Sequence, residues 1–117
     1  MDIEDDCLFC KIIAGSVPGT FVYEDDDVVA FRDIAPVAPV HVLIVPRRHI
    51  VDAGTLERDD QSELIAMFLA AKAIADQEGV GADGYRLTFN VGEDAGNSVA
   101  HLHLHLLGGR FLSWPPG

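Results

Sequence analysis

The chain has 117 residues, 49% hydrophobic and 23% charged, which is typical of one soluble globular domain over residues 1–117. Its net charge of −11 argues against nucleic-acid binding, which depends on clustered Lys and Arg. The acidic start at residues 1–6 is unlike a secretory leader, and no apolar run is long enough to span a bilayer. We therefore expect a cytoplasmic protein with no membrane partner.

The first third of the chain predicts a short helix and then a β-hairpin. Apolar residues fall at helical spacing over Leu8–Ala14, and Gly15 is a plausible stop. Thr20–Glu24 and Val28–Arg32 are rich in β-branched and aromatic residues, and the acidic turn between them favours a hairpin.

The middle of the chain predicts a strand and a long helix. Val40–Val45 is a β-branched run that carries His41 near its start. Asp60 and Glu63 form a capping-box pattern, and the helix should end near Gly79. Its apolar stripe comprises Leu64, Phe68, Ala71 and Ala75.

That helix is apolar over more of its surface than one sheet would bury. The additional apolar residues are Ile65, Met67, Leu69 and Ile74. A homodimer interface is the economical way to cover them, and a covering loop is the alternative. We therefore expect a homodimer.

The last third predicts two more strands, Tyr85–Val91 and the segment 101–107, joined by the glycine-containing loop Gly92–Ser98. Together these elements predict an α+β fold. Its sheet should be mostly antiparallel with about five strands, accompanied by one long and one short helix.

Histidines and leucines alternate in the segment 101–107. His101, His103 and His105 should therefore point to one face of a strand, with the leucines on the other. A neutral imidazole can attack with one nitrogen while a neighbour orients the other, and imidazoles on a strand can also ligate zinc. The spacing alone does not separate a nucleophile from a metal ligand.

Cys7 and Cys10 form a Cys-x-x-Cys pair at the start of the predicted first helix, with Cys7 just before it and Cys10 within it. In a reducing compartment such a pair is a metal half-site or a redox motif. The redox interpretation is the weaker one because no thioredoxin-like strand precedes the pair.

The pattern His-φ-His-φ-His-φ-φ at 101–107, with φ apolar, resembles the signature of the histidine triad superfamily. The resemblance covers nearly the whole chain, and the closing Trp-Pro-Pro-Gly is similar to the Hint branch. Its other matching segments are 9–13, 31–34, 39–41, 46–50 and 108–110.

The resemblance implies a hydrolase of purine nucleoside 5′-phosphoramidates that works through a nucleotidyl-histidine intermediate. By position, His103 would be the nucleophile that attacks the α-phosphorus. His105 and Ser98 would bind phosphate and leaving-group atoms, and His41 would hydrogen-bond the distal nitrogen of His103. No metal is required for this chemistry.

The resemblance also implies the nucleotide contacts. Asp33 would bind the ribose hydroxyls, and backbone N–H groups of the Gly96–Ser98 loop would meet the phosphate. Asn97 stands where the Hint pattern commonly has Gln, so its amide is one methylene shorter. The implied nucleotide-binding residues are Phe9, Ile12, Phe31, Asp33, Ile34, Leu43, Asn90, Gly96, Asn97, Ser98, His103, His105 and Trp114.

Some bacterial relatives bind a structural zinc at matching positions. The implied ligands are Cys7, Cys10, His49 and His101, and four protein ligands leave no open coordination site for catalysis. Three alternatives stay open: a dinucleoside polyphosphate hydrolase as in the Fhit branch, a nucleotide-binding module with vestigial turnover, and a zinc hydrolase using the triad as ligands.

Overall fold

A computed structural model describes residues 6–117 and shows an antiparallel sheet with helices on both faces. The acidic run that argued against a secretory leader lies, except for Asp6, outside these residues. In chain order the helices and strands are α1 (Leu8–Ala14), β1 (Phe21–Glu24), β2 (Val28–Arg32), β3 (Val40–Pro46), α2 (Gln61–Gln77), β4 (Tyr85–Thr88) and β5 (Leu104–Gly108). The predicted α+β class is confirmed.

Residues 101–107, the histidine segment, lead into an interior strand of the sheet. This strand, β5, inserts between β3 and β4 and gives the order β1-β2-β3-β5-β4. All neighbouring strands are antiparallel. Leu43 pairs with His105 and His41 with Leu107, so His41 and His105 are diagonal neighbours on one face.

Each face of the sheet carries its own core. Val42, Ile44, Leu104 and Leu106 point to the α2 face, where they are at most 1% exposed. The alternate residues point to the other face and pack against α1. This second core comprises Cys7, Phe9, Cys10, Ile12, Val29, Phe31, Leu43 and Val45. The histidines therefore lie on the α1 face, as the alternation predicted.

β5 begins later than the sequence suggested. We predicted a strand over the whole of 101–107, but the ladder starts at Leu104. The reason lies in Pro46 at the end of β3, which has no N–H to donate and whose carbonyl accepts from the His101 ring, Nε2 to O 2.9 Å. β4 likewise ends at Thr88, the partner of His105, rather than at Val91.

The predicted capping box at the start of α2 is wrong. Asp60 does not cap α2 with its side chain, and instead accepts from the Glu57 N–H at 2.9 Å. Asp60 and Glu63 both pair with Arg48, which follows β3. The two carboxylates therefore join the end of β3 to the helix rather than closing the helix terminus.

The buried stripe of α2 also differs from the prediction. Its buried residues are Met67, Ala70, Ala71, Ile74 and Ala75. Phe68 was expected in the core but is 40% exposed. It joins Ile65 and Leu69, 58% and 62% exposed, on an outer apolar face of α2. Neither helix in residues 6–117 is long and apolar enough to cross a membrane.

Candidate active site

A cleft of about 320 Å³ opens on the α1 face of the sheet, beside the histidines. Of the thirteen residues assigned to nucleotide binding, all except Trp114 line it. Residues that sequence reasoning missed also line it, namely Leu8, Pro18, Gly19, Arg32 and Val99. No sequence pattern distinguishes Gly19. The structure shows that a Cβ at this position would lie 2.8 Å from Cγ2 of Ile12, so a larger residue would not fit without a shift.

Aromatic rings form the apolar part of the cleft. The ring centroids of Phe9 and Phe31 are 5.4 Å apart in an edge-to-face arrangement. Phe9 also meets the His103 ring edge-to-face at 5.0 Å. An apolar wall beside a row of imidazoles suits a ligand with one flat apolar end and one polar end.

His103 is held in one tautomer by the main chain. Its Nδ1 lies 2.7 Å from the carbonyl oxygen of His101, which can only accept, so Nδ1 carries the proton. In the neutral ring Nε2 then carries a lone pair. Since His103 lines the cleft, this arrangement provides a nitrogen nucleophile.

His41 has a different partner from the one predicted. We expected it to hydrogen-bond His103, but its Nε2 lies 3.0 Å from Nδ1 of His105. The Val37 N–H donates to Nδ1 of His41 at 3.1 Å, so in the neutral ring Nε2 carries the proton. His41 therefore donates to His105, whose own proton is placed on Nε2.

Asp33 stands beside this pair, with Oδ2 3.3 Å from Nε2 of His41. Burial lowers the pKa of His41, although the Asp33 charge opposes the shift. Burial also lowers the pKa of His105 to about 4, helped by the neighbouring His103 and His41. Both imidazoles are thus neutral at pH 7, which makes His105 a hydrogen-bond donor rather than a strong acid.

The loop before β5 offers fewer phosphate donors than the resemblance implied. The Gly96 N–H donates to Glu93 at 2.9 Å and the Asn97 N–H to Gly92 at 3.1 Å. Gly96 adopts φ +78°, which closes this turn. Within residues 6–117 the Ser98 N–H has no acceptor, so Ser98 is the loop residue best placed to meet an anion.

Two further residues depart from their expected surroundings. The Oδ1 of Asn97 is buried without a hydrogen-bond partner among the described residues, although the residue lines the cleft. Trp114 is 80% exposed and lies outside the cleft of this chain. Its assignment to nucleotide binding stays a prediction.

Cys7, Cys10, His49 and His101 converge beside the cleft. Their ligand atoms all lie within 4.8 Å of one another. The closest pairs are Cys7 Sγ to His101 Nδ1 at 3.3 Å, Cys10 Sγ to His49 Nδ1 at 3.3 Å, Cys10 Sγ to His101 Nδ1 at 3.4 Å, and the two Nδ1 atoms at 3.2 Å. Cys7 also caps α1 by accepting from the Cys10 N–H.

These distances lie at or just below those between the ligand atoms of a tetrahedral zinc site. Bonds of about 2.3 Å to sulfur and about 2.0–2.1 Å to nitrogen separate ligand atoms by about 3.3–3.8 Å. The Nε2 of His101 donates to the Pro46 carbonyl, which leaves Nδ1 with the lone pair that a metal needs. Burial lowers the pKa of His101 to about 4, which also favours that neutral form.

Asp33, His41 and His105 form a second cluster of metal-ligand types. Here the hydrogen bonds oppose a metal. A metal on Nε2 of His41 would force the proton onto Nδ1, against the Val37 N–H that Nδ1 now accepts. This cluster is better described as a hydrogen-bonded chain leading to the cleft.

The HIT domain family profile matches residues 14–112 of this chain. The chain belongs to the HIT family.

Similar HIT proteins cover almost all of the chain. A crystal structure of a HIT family hydrolase from Legionella pneumophila is 50% identical with a TM-score of 0.94, covering 96% of this chain and 100% of that one. A histidine triad protein from Clostridium difficile is 40% identical with a TM-score of 0.90, over 94% and 96%. An uncharacterized HIT-like protein from Synechococcus elongatus is 48% identical over 98% of this chain and 100% of its own length.

Proposed function

We propose that this HIT protein is a hydrolase that cleaves the P–N bond of purine nucleoside 5′-phosphoramidates, releasing nucleoside monophosphate and an amine. The observation that carries the proposal is the tautomer of His103, whose Nδ1–H is held by a main-chain carbonyl while Nε2 keeps its lone pair in the cleft. The solved relative from Legionella pneumophila, named a hydrolase, supports the reaction class.

In the first step the Nε2 lone pair of His103 attacks the α-phosphorus. The bond from phosphorus to the amine nitrogen breaks, its electron pair stays on the amine, and the amine takes up a proton from solvent. Attack leaves positive charge on the His103 ring, and the carbonyl oxygen of His101 stabilises the Nδ1–H that carries it. Water then displaces His103 from phosphorus and regenerates the enzyme.

Neighbouring donors would stabilise the charge that develops on the phosphoryl oxygens. The Nε2–H of His105 is aligned by His41, and Ser98 offers its N–H and hydroxyl. Because these donors are fixed before substrate arrives, they need no reorganisation during the reaction. Asp33, also in the cleft, would accept from the ribose hydroxyls.

We refer to Cys7, Cys10, His49 and His101 as the Cys/His cluster, and this cluster would hold a structural zinc. With four protein ligands the ion has no open position, so it would join α1 to the end of β3 and to the histidine segment rather than bind substrate. The outer apolar face of α2 would be covered by a second copy of the chain.

The test is release of amine from an adenosine 5′-phosphoramidate by purified protein, comparing wild type with His103→Gln. We expect the substitution to lower kcat at least 1,000-fold, because Gln cannot form the intermediate, while AMP still binds. Equal rates in the two proteins would contradict the proposal.

A dinucleoside polyphosphate assayed beside the phosphoramidate tests the alternative that the protein is a dinucleoside polyphosphate hydrolase. Faster cleavage of the polyphosphate would assign the site to that substrate class. AMP binding without turnover of either compound would leave a nucleotide-binding module.

A further inference from the structure

One residue belongs to both the metal-binding cluster and the nucleophile's surroundings. The ring of His101 is fully buried among the Cys/His ligands, with Nδ1 3.3 Å from Cys7 Sγ. Its main-chain carbonyl accepts the Nδ1–H of His103 at 2.7 Å. The position of that carbonyl therefore depends on where the His101 ring is anchored.

Helix α1 provides a second connection. It brings Cys10 to the cluster and Phe9 to the cleft, and Cys7 caps its first turn. The Phe9 ring meets His103 edge-to-face at 5.0 Å and His101 at 6.2 Å. Movement of α1 would thus reach the nucleophile through a ring contact as well as through the peptide chain.

We propose that His101 and Phe9 are positioning residues through which the Cys/His cluster, when it holds its metal, keeps His103 in the attacking tautomer. Release of the metal would then slow nucleotidyl transfer without abolishing nucleotide binding. This inference rests on the proposed function, and it gives the cluster a part in catalysis beyond joining segments of the chain.

The geometry explains why metal loss would be felt at His103. The Nδ1 atoms of His49 and His101 are 3.2 Å apart, and the Pro46 carbonyl fixes the His101 lone pair on Nδ1. A cation bound between these ligand atoms satisfies their lone pairs together. Without it these two nitrogen lone pairs repel each other, which favours a shift of the His101 ring, and the carbonyl that holds His103 lies on the same residue.

The experiment compares zinc-loaded protein with the same protein stripped by a chelator, using two readouts. Nitrogen-15 NMR of the imidazoles reports which His103 nitrogen carries the proton. Rapid-quench mass spectrometry reports the rate of adenylylation by an adenosine phosphoramidate. We expect one Nδ1–H tautomer in loaded protein and a mixture in stripped protein, with adenylylation slowed tenfold or more and AMP affinity changed less than threefold.

His49→Gln gives a chelator-free version of the test, because His49 is a ligand that no described contact joins to His103. We expect it to reproduce the stripped protein and to be insensitive to chelator. Arg58→Gln, an exposed substitution in the following segment, is the matched control and should behave as wild type. Added zinc should restore stripped wild type but not His49→Gln.

A folded stripped protein that keeps the Nδ1–H tautomer and an adenylylation rate within twofold of the loaded protein would overturn the inference. If stripping unfolds the chain, His101→Gln in excess zinc decides with the same readouts, since Cys7, Cys10 and His49 can still hold the ion while the ring that anchors residue 101 is gone. Unchanged tautomer and rate in that variant would also overturn it. A loaded wild type that forms no adduct would refute the proposed function, while the tautomer comparison would still decide whether the cluster controls His103.

Discussion

Two main-chain groups determine the protonation pattern of the site's imidazoles. The His101 carbonyl places a proton on Nδ1 of His103, and the Val37 N–H excludes one from Nδ1 of His41. These contacts give His103 a lone pair and His105 a proton where each lines the cleft. The proposed nucleophile and the proposed donor are thus distinguished by backbone geometry and not by residue type.

At this scale the sequence predicted which histidines lie together but not how they pair. Alternation placed three imidazoles on one face, and in the structure His103 and His105 line the cleft on the α1 side while His101 lies beside Phe9 among the Cys/His ligands. The His41 partner was wrong because strand register, which the sequence does not reveal, sets His41 diagonal to His105. The role of the Val37 amide had no sequence signal, since every residue except proline carries such a group.

Asn97→Gln should increase kcat/KM two- to tenfold. The buried Oδ1 of Asn97 has no partner within residues 6–117, and one added methylene would give the amide the longer reach of the Gln that the Hint pattern commonly has here. Steady-state amine release measures the effect, with thermal unfolding to show that the fold is unchanged. A lower kcat/KM at unchanged stability would show that the shorter amide already has the better reach.

His105 should make the protein less stable in acid. Its pKa is about 4 when folded and near 6.5 when unfolded, so the unfolded chain binds more protons between those values. The free energy of unfolding should therefore fall as pH drops from about 6.5 to about 4. Removing this titration in His105→Gln should reduce the slope by up to about 1.4 kcal/mol per pH unit.

Urea unfolding at fixed zinc saturation, repeated across this pH range, measures that slope in both proteins. Equal metal loading matters because acid also competes for the Cys/His ligands. Identical slopes in wild type and His105→Gln would contradict a depressed pKa at His105.

Helix α2 shows how far sequence patterns determine an element. Its existence and approximate length were predicted, because a long apolar periodic segment ended near Gly79. Its buried face was only partly predicted, since apolar residues surround the helix and several stripes fit the pattern. The prediction of a capping box failed because Arg48, which lies outside the helix in the segment after β3, pairs with both carboxylates.

Ile74→Ala and Leu69→Ala form a matched pair on the two faces of this helix. Ile74 is fully buried against the sheet, so truncation should cost about 2–5 kcal/mol of unfolding free energy. Leu69 is 62% exposed in one chain, and truncation there should cost about 0.5 kcal/mol or less unless a second chain covers it. Chemical denaturation of both variants at several protein concentrations separates these cases.

The molecule as a whole has an apolar surface that one chain leaves open. Ile65, Phe68 and Leu69 form the outer apolar face of α2. The Phe68 ring contacts the Phe89 ring, with centroids 6.1 Å apart, so the apolar face extends to Phe89. Contiguous apolar surface of this kind marks an interaction site in soluble proteins. The sequence predicted the surplus, although the same pattern did not say which residues would be exposed.

Light scattering of wild-type protein at micromolar concentration should give about twice the chain mass of 12.6 kDa. Leu69→Lys should shift the mass towards one chain, because a charge would have to be buried in the interface. Asp26→Lys, which places a lysine at an exposed position in the turn between β1 and β2 and away from this face, is the control. A wild type with the mass of a single chain would contradict the dimer.

The central claim is that His103 forms a covalent bond to the nucleotide. The most direct measurement uses His105→Gly, a variant intended to slow release of the intermediate. This protein is reacted with an adenosine phosphoramidate, the reaction is quenched without acid, and the product is analysed by intact mass and peptide mapping. We predict an added AMP mass located on His103 and absent from the His103→Gln, His105→Gly double variant. An adduct on another residue, or amine release by wild type with no adduct at the earliest times, would contradict the account.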